Sequence, residues 1–442
     1  MKTEQRQTSW PSHGETAVCQ AAMTARQRFQ KTLNHEPVDR VCVDFGATHV
    51  TGISAGTLSK LRQAVLGEND YRVKVIEPFQ MLGEIDDALM EALGIDVVGV
   101  FGPKTMFGFA NRDWKPFTMF DGTEVLVPGD FNVTPDGRGG WFLHPEGDTS
   151  VPPSGHMPRG GFYFDAICRQ DPIDESKLDP ADNLVEFGVL AEADVRHYRA
   201  QAEAAALRDK GAILSAPGTA FGDIAVVPAV WMKRTPGIRD IEEWYISTIA
   251  RRDYVVAVFE KQCEIGLKNL SLLAEALGDS VQAVFTTGTD FGMQTGLFIS
   301  PQTYRDLYKP FHKALNDFIH QKTEWKVFIH SCGAVKELIP EFIEAGFDIL
   351  NPVQCSAAGM DPRELKDRFG RDIVFWGGGV DTQKTLPFGT PEEVYEQVRR
   401  RIEIFNTPTG MVFNAIHNIQ AQTPLENVLA MFRAIQDSRR GV

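Results

Sequence analysis

Eight short runs of β-branched and aromatic residues, each followed by a longer segment of helical periodicity, constrain this chain more than any other feature. The runs are Val41 to Phe45, Asp96 to Phe101, Ala212 to Ala216, Gln282 to Thr286, Lys326 to Ile329, Phe347 to Leu350, Asp372 to Phe375 and Gly410 to Asn414. Such alternation is the signature of βα units around a parallel sheet. Eight units over 442 residues point to a closed (β/α)8 (TIM) barrel. A hydrophobic content of 43% would support either one large barrel or two ordinary domains. The alternation favours the barrel.

Helix boundaries agree with that reading. Ser300-Pro301 opens a segment running to about Gln321, with serine as N-cap and proline at the first helical position, where no N–H is needed. Thr390-Pro391-Glu392-Glu393 and Thr423-Pro424-Leu425-Glu426 repeat the pattern. Ala345-Gly346-Phe347 closes a helix on a glycine free to turn left-handed. Residues 103 to about 187 depart from the alternation. They are rich in glycine, proline and aromatics, and Pro135-Asp136-Gly137-Arg138-Gly139-Gly140 separates the strand-like runs Thr123 to Val127 and Trp141 to Leu143. This predicts an antiparallel β-rich insertion after strand 2. An insertion there projects from the catalytic face as a lid or partner-docking surface; a decorative or dimer-forming subdomain fits equally. Residues 1–22 are polar, carry Pro11 and Gly14, and lack the apolar centre of a signal peptide. They read as a flexible extension, leaving 23–442 as the barrel.

Charge and cysteine usage narrow the function. A formal net charge of -14 argues against nucleic acid or an anionic membrane surface as main partner, since both need clustered positive charge. No uninterrupted apolar stretch approaches the roughly 18 residues of a membrane span. Cys19, Cys42, Cys168, Cys263, Cys332 and Cys355 are too dispersed for a secreted disulfide scaffold, so a reducing cytoplasm is the expected compartment.

Barrel chemistry gathers at the C-terminal ends of the strands, and here those ends are polar. Asp44 follows the first run, Asp290 lies in the loop after the fourth, and His330 and Cys332 follow the fifth. Asn351, Gln354 and Cys355 follow the sixth, Asp381 the seventh behind Gly377-Gly378-Gly379, and His417 and Gln420 the eighth. His330-Ser331-Cys332 is the sharpest of these. A His and a Cys two residues apart, where a strand leaves its pleat, can turn toward one point and hold zinc. A buried Cys and a hydrogen-bonded His at a strand-to-helix turn is the plainer reading. A metal needs a third ligand from another loop, and His417 is the best placed. Asp44, Asp290 and Asp381 are the candidate catalytic carboxylates; Asn351, Gln354 and Gln420 are the candidate substrate contacts. Asp381 and Asn351 would serve equally as turn or cap residues. Cys42 lies inside a strand and reads as core, while His35, His49, His144 and His312 read as surface or satisfied histidines.

Several of these segments together resemble the uroporphyrinogen decarboxylase superfamily, which includes zinc-dependent corrinoid and coenzyme M methyltransferases and is akin in structure to cobalamin-independent methionine synthase. The resemblance runs from about Met23 to Gln436, interrupted by the insertion. Met23-Thr24-Ala25-Arg26-Gln27-Arg28-Phe29 and Asn34-His35-Glu36-Pro37-Val38-Asp39-Arg40 look like the family's opening helix and approach to strand one. Ile299-Ser300-Pro301 with Tyr304, and Thr423-Pro424-Leu425-Glu426-Asn427-Val428, look like its later signatures. The methyltransferase branch binds zinc through His-x-Cys after strand five and a Cys seven residues before a Thr-Pro proline. His330 and Cys332 match the pair; the position seven before Pro424 is His417, a change zinc tolerates. Those relatives supply a carboxylate after strand six, where this chain has Val353-Gln354-Cys355. The resemblance thus leaves the fourth position open among Cys355, Gln354 and water. The decarboxylase branch depends on an Arg-Gln-Ala-Gly-Arg segment after strand one to hold substrate carboxylates. This chain has Asp44-Phe45-Gly46-Ala47-Thr48-His49 there, without either arginine fork.

The resemblance implies a zinc-dependent methyltransferase moving a methyl group between a corrinoid protein and a small thiol or methylated substrate. No Asp-x-His-x-x-Gly corrinoid-binding signature occurs in the chain, so the cobalamin would sit on a separate protein docked over the barrel mouth. A homodimer is a further implication. Two alternatives stand beside this one. The first is a uroporphyrinogen decarboxylase-type decarboxylase in which Asp44 or Asp290 stabilises a developing cation. The second is a catalytically silent barrel that binds a corrinoid or small ligand as an accessory subunit.

Overall fold

The computed structural model describes residues 23–438, so the extension expected at 1–22 lies outside the described residues. Each of the eight runs carries one barrel strand: β1 (Cys42–Val43), β2 (Val97–Val100), β3 (Gly211–Ser215), β4 (Ala283–Thr287), β5 (Lys326–His330), β6 (Ile349–Asn351), β7 (Val374–Trp376) and β8 (Met411–Phe413). They form one sheet in the order β1-β8-β7-β6-β5-β4-β3-β2, with neighbouring strands parallel. Asp96 closes the seam between β1 and β2. Its backbone N–H donates to the Val43 carbonyl (2.8 Å), and its Oδ2 accepts the Val43 N–H (2.9 Å). Arg28 reaches Oδ1 at 2.7 Å and Arg40 reaches Oδ2 at 2.6 Å, so two guanidiniums neutralise a fully buried carboxylate.

Strand alternation sorts the residues into layers. Cys42, Val97, Ile213, Ala283, Phe328, Ile349, Val374 and Val412 pack together inside the ring. Phe29 and Leu33 of the opening helix α1 (Ala25–Leu33) plug its floor, with Phe29 edge-on to Trp376 at 5.5 Å. Cys42 is core, as the sequence reading has it. Residues two positions further along, Asp44, His330, Asn351, Trp376 and Asn414, turn the same way by the period of two and form a buried, mostly polar layer above the apolar one. The intervening positions, among them Val43, Val98, Leu214, Val327, Leu350 and Phe413, face the surrounding helices.

Local boundary chemistry follows the sequence with one correction. Ser300 Oγ accepts the Thr303 N–H, and the segment it opens runs through a π-helical turn (Tyr304–Tyr308) into Lys309–Lys322. Thr390 and Glu393 form a reciprocal capping box. Gly346 takes φ +87°, as its helix-closing position requires. Thr423, however, does not cap: its hydroxyl donates to the Gln420 carbonyl, and the helix starts one residue beyond the expected proline, at Leu425. The insertion after β2 is antiparallel. Lys115–Thr118 pairs with Glu124–Val127, and Val133–Pro135, Trp141–Leu143, Gly155–Met157 and Asp165–Ala166 make a second sheet. Asp136 Oδ1 holds its expected turn by accepting the N–H groups of Arg138 and Gly140. A small hairpin between β1 and β2, Val75–Glu77 with Leu82–Gly83, is an element the sequence did not announce. No helix of the described residues is long and apolar enough to cross a membrane.

Replacing Asp96 by asparagine keeps the side-chain shape but leaves Arg40 without its counter-charge and Arg28 with Asp39 alone. Denaturant unfolding of Asp96→Asn is expected to show a loss of about 3–5 kcal/mol, and a loss under 1 kcal/mol would contradict the role given to this seam.

Candidate functional site

The end of β5 is a tightly held turn. Gly333 adopts φ +88°, and a Cβ there would lie 2.4 Å from the Gly292 carbonyl carbon, so glycine is needed both for the conformation and for the close approach of the neighbouring loop. That loop follows β4 and is bound to the turn at several points. Ser331 Oγ accepts the Phe291 N–H (2.9 Å), Asp290 Oδ1 accepts the Cys332 N–H (2.7 Å), and the Met293 carbonyl accepts the Ala334 N–H (2.9 Å). Phe291 anchors the loop by packing edge-on against Tyr304 and Tyr308, at the π-helical turn. From the other side, Gln354 Oε1 accepts the Gly333 N–H at 2.7 Å.

This framework brings His330, Cys332 and His417 together, with ligand atoms that all lie within 4.8 Å of one another. His330 Nε2 is 3.4 Å from Cys332 Sγ, and the two imidazole rings stand 5.6 Å apart. The tautomer of His330 follows from its neighbour. The residues pair across β5 and β6, and Asn351 Nδ2 donates to the Trp376 carbonyl (2.9 Å), so Asn351 Oδ1 faces His330 Nδ1 at 2.6 Å. A carbonyl oxygen only accepts, so Nδ1 carries the proton and Nε2 presents its lone pair to the cluster. Burial lowers the His330 pKa to about 4, against the favourable Asn351 contact; burial and then His330 lower that of His417 to about 3. Both rings are therefore neutral donors at neutral pH. Burial, with the Asp290 charge beside it, pushes the Cys332 thiol well above its ordinary range. Two neutral imidazoles and one thiol suit a zinc-type ion, which would take the thiol as thiolate.

The other candidates fall into separate groups. Asp290 belongs to the cluster's wall, with Oδ1 3.9 Å from His330 Nε2 and its carboxyl raised by burial to about 6. Asn351 and Gln354 hold the donors in place through their amides. Cys355, expected as a metal donor, is outside the donor cluster: its N–H turns back on the Val353 carbonyl and its side chain packs against the hydrophobic core. Asp44 is fully buried below the mouth, its carboxyl accepting the Ala47 N–H and the Trp376 indole N–H (both 2.9 Å), and burial raises it to about 7. Asp381 Oδ1 accepts the N–H groups of Gln383 and Lys384, which is the capping geometry. Gln420 is exposed, and its carbonyl accepts the Thr57 and Thr423 hydroxyls. Among the histidines read as surface or satisfied, His144 is satisfied on both nitrogens. His312 is buried with Nδ1 near the Tyr304 hydroxyl and Nε2 without a partner. His49 is half-buried and has no hydrogen-bond partner on its ring among the described residues, which nothing in its sequence surroundings signals.

Comparison with known proteins adds to this geometry. Residues 231–438 match the family model described as uroporphyrinogen decarboxylase. The chain is similar to a methylated-thiol–coenzyme M methyltransferase of Methanosarcina mazei, 28% identical over 233 residues. That match covers 51% of this chain and 52% of the relative, so it spans about half the length of the curated protein. A solved methyltransferase from Methanosarcina mazei shares the fold, with a TM-score of 0.52 at 15% identity, covering 94% of this chain and 98% of that one.

Asn351→Ala removes the acceptor that keeps the proton on His330 Nδ1. Chelator competition is expected to show zinc affinity about 10–100-fold weaker than in the unmodified chain; unchanged affinity would contradict the tautomer argument.

Proposed function

We propose that this chain, whose residues 231–438 match the uroporphyrinogen decarboxylase family model and which is similar to a methyltransferase of Methanosarcina mazei, is a zinc-dependent methyltransferase on the methyltransferase-like side of that family. The observation that carries the reading is the meeting of His330, Cys332 and His417, two neutral imidazoles and a thiol from two strand ends, at the mouth of the barrel. Three protein donors are the number found in catalytic rather than structural zinc sites, which leave one position for a water or substrate. Gln354 and Cys355, the sequence candidates for a fourth donor, are engaged elsewhere.

Bound zinc would supply Lewis-acid charge that keeps a substrate thiol ionised, or polarises a methylated substrate, at neutral pH. The chain's own residues do the positioning. Asn351 holds the proton on His330 Nδ1, and Asp290 and Gln354 fix the backbone of Cys332 and Gly333. The small thiol or methylated compound would bind at the mouth, and the other party to the transfer would be a corrinoid on a separate protein. Support for that partner comes from Met293 and Phe298, 41% and 44% exposed on the loop that carries Asp290, with Phe298 stacked on Tyr245. They give the rim an apolar surface suited to a docked protein. The decarboxylase reading has less support because the segment after β1, Asp44-Phe45-Gly46-Ala47-Thr48-His49, lacks the arginine forks that would hold substrate carboxylates.

Protein expressed in zinc-supplemented cells is expected to carry about one zinc per chain and to transfer methyl groups between methylcobalamin and a small thiol. Cys332→Ser should lose the metal and lower the rate by about 100-fold or more with the fold intact. Metal-free protein that is fully active, or a Cys332→Ser variant with unchanged rate, would contradict the proposal.

A further inference from the structure

The loop after β1, the Val75–Gly83 hairpin and the first residues of the insertion enclose a cavity of about 50 Å³, separate from the residues assigned above. That is room for a few non-hydrogen atoms. Its wall includes His49, Glu77, Leu82, Phe101, Lys104 and Thr105. It adjoins the His417 loop through Asn418, whose Oδ1 accepts the Gly52 N–H (2.6 Å) and whose Nδ2 donates to the His49 carbonyl (2.9 Å) and Gln80 Oε1 (2.8 Å).

Two polar groups of this wall are unpaired, while Thr48, Glu77 and Asn111 have partners within the protein. Thr105 is 8% exposed, and its buried hydroxyl has no partner among the described residues. The His49 ring, edge-on to Phe101 at 4.8 Å, likewise has none, and burial lowers its pKa to about 4, so it is neutral. Buried polar groups without partners are costly, and a ligand that pairs them removes that cost. Charge is treated differently. Glu77 is 4% exposed, already accepts the Phe79 and Gln80 N–H groups, and is raised by burial to about 7. An anion entering here would meet that carboxyl with no buried cation to offset it. Lys104 is at the rim, its side chain 63% exposed and 3.7 Å from Glu146. A cation would have to leave water for a carboxyl that is partly protonated and already hydrogen-bonded.

We propose that this cavity is a substrate-end subsite that takes an uncharged, hydroxyl-bearing group, with the Thr105 hydroxyl and the His49 ring as its hydrogen-bond partners and Phe101 as its apolar wall. The choice of methylated probes rests on the methyl-transfer reading, whereas the selection for an uncharged group does not. Ligand-observed NMR on the full chain compares 2-(methylthio)ethanol, (methylthio)acetate and 2-(methylthio)ethylamine, with zinc content measured on the same samples. The alcohol is expected to bind about tenfold more tightly than either charged analogue. Thr105→Val should weaken it about three- to tenfold without changing zinc content. If Thr105→Val lowers the Tm, His49→Phe, which keeps the ring shape, provides the same readout. Absence of alcohol binding, preference for the acid or amine, or unchanged alcohol affinity in the correctly folded variants would overturn the subsite. Alcohol selectivity in protein that takes no zinc would overturn the methyltransferase reading and leave the subsite standing. Zinc without the selectivity would do the reverse.

Discussion

A ring of eight parallel strands exists only if the two strands at its seam meet, and in this chain that meeting depends on one carboxylate. β1 is two residues long, too short for a backbone ladder of any strength. Asp96 supplements it by placing both its own N–H and a side-chain oxygen on Val43, while Arg28 and Arg40 compensate the buried charge. The cost of desolvating three ionic groups is offset by geometry: each carboxylate oxygen has at least one guanidinium partner, and Arg28 is also held by Asp39. Closure then brings the ends of β5 and β8, which are not neighbours in the sheet, around one mouth. Without it β8 and β5, with two strands between them, would lie along one face of an open sheet, and His417 and His330 would not be turned toward each other around a mouth.

Above the apolar floor, burial sets the character of the site. It keeps His330 and His417 neutral and Cys332 protonated, so the donor atoms do not repel one another in the metal-free chain. The same burial makes each donor depend on its surroundings for orientation. Asn351 fixes one ring, Asp290 and Gln354 fix the turn that carries the thiol, and Gly333 lets two loops meet backbone to backbone. Polar residues at the strand ends therefore divide into those that can bind a ligand and those that hold the binders still.

The strands, the insertion and the histidine–cysteine turn were legible because each depends on local pattern: β-branched runs, a Gly-rich hairpin turn, a polar pair after an apolar strand. What escaped the sequence depends on the direction of a side chain. Cys355 and Gln354 are adjacent, yet one packs into the core and the other reaches the Gly333 N–H, a difference no spacing encodes. Asp96 read as the start of a strand, not as the clasp of the barrel, because both arginines come from segments far away in the chain. His49 read as surface or satisfied because the walls that bury it, the hairpin and the base of the insertion, are supplied by later parts of the chain. Thr423 followed the N-cap rule in sequence and broke it in space, its hydroxyl drawn to the nearer Gln420 carbonyl.

The central claim is that one sulfur and two imidazole nitrogens form the metal site. Zinc-edge X-ray absorption on the loaded protein tests it most directly. The account predicts one sulfur at about 2.3 Å and nitrogen or oxygen ligands at about 2.0–2.1 Å. A first shell with two sulfurs, which would require Cys355 to leave the core, or one with no sulfur at all, would contradict it.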